Sequence, residues 1–132
     1  MRITPVSALA QRLFHRFGAL ARYVVLRRQL ADINRRLARL EHADLRAVGS
    51  HLVRELELST RQSREASTTN LAHSRANAPN PRVRLLGMAQ WLASAYRETE
   101  DSDDESMREM HRLVMRSLRH LRESGGYEYR TA

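Results

Sequence analysis

Apolar side chains recur every three to four residues along most of this 132-residue chain, and the recurrence changes at a few definite places. From Val6 to about Leu40 the spacing predicts a single long helix. At about 100° per residue, Leu9, Leu13, Phe17, Leu20 and Val24 fall within about 80° of one another. Arg12, Arg16 and His15 lie on the other side, while Arg27 and Arg28 intrude near the apolar stripe. Gly18 interrupts this run at a cost of about 1 kcal/mol relative to Ala, which makes it the expected place for a bend or break. From Tyr23 the pattern tightens. Tyr23, Leu26, Leu30, Ile33, Leu37 and Leu40 step alternately by three and four, as the a and d positions of a coiled coil do. A seam of this kind packs either on a neighbouring helix of its own chain or on a second copy or partner, and the spacing serves both readings equally.

The seam stops at Glu41-His42-Ala43-Asp44. Asp44 is placed to cap a short second helix carrying Leu45, Val48, Leu52 and Leu56, with Gly49 inside it as either a terminator or a point of close approach. Residues 59–81 are rich in Ser, Thr, Asn and Ala and end in Asn-Ala-Pro-Asn-Pro. With so few large apolar side chains they read as a flexible linker, open to proteolysis near Arg61, Arg64 or Arg75. Beyond it, Leu85, Met88, Leu92 and Tyr96 mark one helix over about 82–97, and Met107, Met110, Val114, Leu118 and Leu121 mark another. Between the two, Glu98 to Asp104 forms an acidic turn, and Ser102 with Glu105 has the spacing of a capping box. Gly125-Gly126 is the expected stop of the last helix. The pattern as a whole predicts an all-α chain: a basic helical region over 1–58, a linker over 59–81, and a helical hairpin over 82–132.

Charge sharpens this division. All 23 basic side chains are arginines, and none of the first 31 residues is acidic. A GC-rich coding sequence accounts for arginine in place of lysine but not for the missing acids. Residues 1–58 carry a formal +6, residues 59–84 carry +4 and residues 85–132 carry −2. Guanidinium is planar, permanently charged, and grips phosphate or carboxylate through two parallel hydrogen bonds. Arg22, Arg27, Arg28, Arg35, Arg36, Arg39 and Arg46 are therefore the candidate nucleic-acid-binding residues, acting by neutralising phosphates and releasing counterions. The front half offers no free aromatic for stacking on bases, because Phe14, Phe17 and Tyr23 are expected on apolar faces. RNA or another polyanion is thus the first expected partner. A protein partner or a second copy, held by Tyr23, Leu26, Leu30, Ile33, Leu37 and Leu40, is the alternative expectation. In that alternative the Met-containing faces of the last two helices would adapt to varied clients.

The Val6–Val25 stretch also has the form of an interfacial helix, so peripheral contact with an anionic membrane is a third expectation. No apolar run approaches the roughly 18–20 residues needed to cross a bilayer. Residues 1–31 have the arginine-rich look of a mitochondrial transit peptide, but their periodicity runs on into the following seam, so they are read as part of the folded chain. The chain has no cysteine, which fits a cytoplasmic location. Its six histidines form no metal-ligand pair, and the acids around residues 100–105 lack the alternation and central glycine of a calcium loop. No catalytic residues, metal or cofactor are expected, and the chain reads as a non-enzyme.

Residues 35–49, Arg-Arg-Leu-Ala-Arg-Leu-Glu-His-Ala-Asp-Leu-Arg-Ala-Val-Gly, resemble the YjiS-like family of short, arginine-rich bacterial proteins. That family's pattern is Arg-x-Leu-x-x-Leu, four residues, then Leu-x-x-Ile/Val-Gly, following an amphipathic basic helix. Leu37, Leu40, Leu45, Val48 and Gly49 occupy the matching places, and residues 7–31 would be the preceding helix. Ala47 stands where an acid is common, and Ser50-His51-Leu52 replaces the usual Leu-Ser/Thr-Arg. The resemblance covers about 50 residues and implies a non-enzymatic cytoplasmic bacterial protein with a role in RNA-linked regulation.

Overall fold

The structure, a computed structural model, describes residues 5–62 and 69–125, with side chains described over 17–58 and 71–124. It is all-α. Among the described residues five helices follow one another: α1 Pro5–Arg39, α2 His42–Gln62, α3 Thr69–Ala76, α4 Pro81–Thr99 and α5 Glu105–Gly125. The first spans the predicted length without interruption, so Gly18 does not break it. An added methyl at Gly18 would meet nothing within 4 Å. Gly49 is likewise no terminator, being buried inside α2.

The helix starts differ from expectation in instructive ways. Asp44 is not the cap of α2 but lies in its first turn, where a carboxylate favours the positive end of the helix dipole. The first bond of that turn runs from the Leu45 N–H to the Glu41 carbonyl. At α5 the capping box built on Ser102 does not form. Asp104 is the cap instead, its Oδ1 accepting from the N–H groups of Ser106 (2.8 Å) and Met107 (3.2 Å). Ser102 Oγ accepts from the Asp104 N–H and so braces the turn one step earlier. At α4, Asn80 Oδ1 accepts from the Arg82 N–H and Pro81 takes the first helical position, where its missing donor costs nothing.

One core joins both ends of the chain. Leu26, Leu30, Ile33 and Leu37 of α1 are buried in the same cluster as Val48, Leu52 and Leu56 of α2, Trp91 and Leu92 of α4, and Met110, Val114 and Leu121 of α5. Helix α1 packs on α5, α2 on both α4 and α5, and α4 on α5. The last two helices are therefore part of a common bundle with the first two, a packing that the sequence pattern leaves open. Helix α4 runs antiparallel to α1: Glu98 meets Arg22, Trp91 meets Gln29, and Ala76, just ahead of α4, meets Arg36. Further polar ties fix the ends. His42 Nδ1 lies 3.0 Å from the Ser124 carbonyl, and Arg97 donates to the Leu56 carbonyl.

The expected linker is corrected over part of its length. Residues 69–76 form helix α3, packed on α4 with Ala72 and Ala76 buried. Large side chains are unnecessary here because the backbones approach closely. A methyl added to Gly87 would fall 2.3 Å from the Ala76 nitrogen and 2.4 Å from the Arg75 carbonyl carbon. Glycine is thus required at 87, despite its cost inside a helix. Arg75, expected as an early cleavage point, instead donates through Nη1 to Gln90 Oε1. Residues 63–68 of the expected linker, with Arg64, lie outside the described residues.

Candidate polyanion interface

The seven arginines singled out in the sequence part company in the structure. Arg22 is an intramolecular staple: its Nε and Nη2 donate to the two carboxylate oxygens of Glu98 at 2.7 and 2.8 Å. That hydrogen-bonded carboxylate raises the Arg22 pKa further above its ordinary value, burial opposing and the Glu98 charge assisting. Arg27 lies over the ring of Tyr23, 5.9 Å from its centroid, with Nη1 donating to the phenolic oxygen at 3.3 Å. Arg28 and Arg46 are exposed, the first on the outer side of α1 and the second on α2.

Arg35, Arg36 and Arg39 do converge. They line a cleft of about 480 Å³ between the end of α1 and the start of α4. Its other polar walls are Asp32, Asp44 and Arg84, and its apolar surface comes from Leu40, Ala76, Pro81, Leu85 and Met88. Four guanidiniums face two carboxylates, leaving a formal +2. Each arginine has a distinct standing. Arg36 is held: Nε donates to Asp32 at 3.1 Å, Nη1 to the Ala76 carbonyl at 2.7 Å, and Nη2 to Asn77 Oδ1. It ties α1 to the end of α3 and keeps the cleft's inner wall in place. Arg35 is exposed and only 3.6 Å from Asp32, a loose surface pair. Arg39 and Arg84 are exposed and have no ion pair among the described residues. Pro81 and Arg84 belong to the first turn of α4, so the positive end of that helix dipole also borders the cleft.

Arg84 is the residue that the sequence reading passed over. Its local signal was the positive excess in residues 59–84, but nothing in the sequence pairs position 84 with positions 35 and 39. Among the described residues no aromatic side chain lines the cleft, so the recognition they provide is of charge and shape, without base stacking. Among the described residues no group of three or more His, Asp or Glu side chains comes together as a metal site.

The seam residues go inward. Leu26, Leu30, Ile33 and Leu37 are buried in the chain's own core, with Tyr23 and Leu40 packed half-buried at its margin. The folded chain does not present them to a second copy or partner. The same holds for Met88, Met107 and Met110, whereas Met115 is exposed. Phe17, expected on a packed apolar face, is 66% exposed. The side chains of Leu9, Arg12, Leu13, Phe14 and Arg16 lie outside those described. Among protein-family models, curated proteins and solved structures, none matches this chain.

Proposed function

We propose that the protein binds RNA or a chemically similar polyanion, with Arg35, Arg39 and Arg84 contacting phosphates at the cleft and Arg36 bracing its wall. The observation that carries this reading is the meeting of Arg84 from α4 with the arginines at the end of α1, two of the four guanidiniums having no ion pair among the described residues. Arginines that served only as solvated helix surface would have no reason to gather from two elements around one concavity. The role is binding rather than catalysis. It accords with what the YjiS-like resemblance of residues 35–49 implies, a cytoplasmic bacterial protein in RNA-linked regulation. An adaptor function through the Tyr23–Leu40 seam is less well supported, because that seam is spent on the core.

The test is salt-dependent binding of the full chain to a single-stranded RNA. Each phosphate contact contributes about −0.7 to the slope of log K against log salt. Replacing Arg35, Arg39 and Arg84 together with Gln should make the slope shallower by about 2 while the helical circular dichroism is retained. Absence of RNA binding at low salt, or an unchanged slope in the triple variant, would overturn the assignment. Because Arg84 lies on α4, binding needs that helix as well as the basic helical region over 1–58.

A further inference from the structure

The outer side of α1 between Phe17 and Val25 is used neither by the core nor by the cleft. Phe17 is 66% exposed, Leu20 49%, Val24 45% and Val25 41%. On the helix Phe17, Leu20 and Val24 lie within about 60° of one another, and the sequence continues the same stripe back through Leu13 and Leu9. At about 1.5 Å per residue the 35-residue α1 is about 52 Å long, whereas the 19 residues of α4 reach about 28 Å. Glu98, one residue from the end of α4, meets Arg22, so the part of α1 before Arg22 extends past the end of α4.

Charge selects the occupant of this face. Arg27 and Arg28 are exposed beside it, and the chain has no carboxylate before Asp32. Two copies meeting stripe to stripe would bring together two acid-free, arginine-bearing surfaces, which repel. A bilayer with anionic headgroups complements both features, accepting apolar side chains at its headgroup–acyl boundary and cations at its phosphates. No helix among the described residues is long and apolar enough to span a membrane, so the contact is peripheral.

We propose that the exposed stripe of α1 around Phe17, Leu20 and Val24 docks on anionic lipid bilayers, with Arg27 and Arg28 at the phosphate level. The experiment is flotation of the full chain at low salt with vesicles of phosphatidylcholine containing about one third phosphatidylglycerol, against vesicles of phosphatidylcholine alone. The chain should float with the anionic vesicles only. Leu20→Glu with Val24→Glu should weaken flotation about tenfold or more, and Phe17→Ser with Val24→Ser should weaken it in the same direction. Thermal melting should be preserved in at least one of these pairs, since the altered side chains point to solvent. The Arg35, Arg39, Arg84→Gln variant should still float, which separates this face from the RNA reading. Three results would overturn the proposal. One is failure of the unaltered chain to float. Another is equal flotation of a folded stripe variant, which would mean attraction by charge alone. The third is a dimer on gel filtration that becomes monomeric when the stripe is altered, which would assign the face to a second copy.

Discussion

The two halves of α1 both mix apolar residues with arginines at a helical period, yet they meet opposite fates. In the second half Leu26, Leu30, Ile33 and Leu37 are buried and Arg28, Arg35 and Arg39 face outward. In the first half the described apolar residues Phe17, Leu20 and Val24 face outward. At about 100° per residue the two apolar stripes are centred about 140° apart around one uninterrupted helix. Period alone declares a helix amphipathic; phase relative to the neighbouring helices decides whether the apolar face meets a core. The seam from Tyr23 onward is in phase with α4 and α5, and the stripe ending at Val24 is not.

Substitutions on the two faces give the sharpest contrast. Leu30→Glu with Leu37→Glu should abolish the cooperative melt, because two charges would be placed without partners in the shared core. Even Ile33→Ala should cost about 2–5 kcal/mol of unfolding free energy in a denaturant titration. Val24→Ala, nine positions earlier and on the other face, should stay within about 0.5 kcal/mol of the unaltered chain. Equal effects at the two positions would remove the distinction between the faces.

Gly87→Ala comes next. The added methyl would collide with backbone atoms of Arg75 and Ala76, so α3 must shift away from α4. A loss of about 1–3 kcal/mol is expected by overpacking, with hydrogen exchange of the α3 amides rising more than that of α5. Because Arg36 donates to the Ala76 carbonyl, the same change should also loosen the inner wall of the cleft.

A smaller effect is expected at the junction between the two halves of α1. Glu98→Gln removes the charge opposite Arg22, and since both side chains are 31% exposed the loss should be at most about 1 kcal/mol. Its pH dependence has a definite sign. The folded-state pKa of Arg22 is raised, so its contribution is fully present below the unfolded-state value and disappears only as pH rises through the folded one, in strong alkali. The difference in melting temperature between the unaltered chain and Glu98→Gln should therefore be constant from about pH 7 to about pH 10. The mildest change is Gly18→Ala. With open space around it, it should stabilise the chain by about 0.5–1 kcal/mol through helix propensity alone.

The helices with large apolar residues were legible from sequence, since Leu, Val and Met at three- and four-residue intervals admit few other structures. Helix α3 was not. Its buried side chains are Ala72 and Ala76, its one leucine, Leu71, is 51% exposed, and what lets it pack is the missing side chain of Gly87 across the interface. Caps were legible in kind but not in place, as Asp104 shows: three candidate acceptors, Ser102, Asp103 and Asp104, precede α5, and the local turn decides among them. At the site, Arg35, Arg36 and Arg39 could be found by their spacing on one helix, whereas Arg84 is brought to them by tertiary packing. The seam residues were correctly seen as adhesive, but adhesion to self and to a partner have the same sequence signature.

The contacts Arg22–Glu98, Gln29–Trp91 and Arg36–Ala76 fall on α1 at intervals of seven residues and together act as a vernier that sets α1 against α4 and the end of α3 that precedes it. Sliding α3 and α4 together along α1 by one helical turn, about 5.4 Å, would break all three at once and leave the Trp91 N–H stranded in the interior. Ridges of leucine and alanine tolerate several nearly equivalent offsets; these three polar pairs tolerate one. The offset they select is the one that brings Arg84 level with Arg35 and Arg39, so the spacing of charges at the mouth of the cleft is set by joints as far as two helical turns and more away along the bundle.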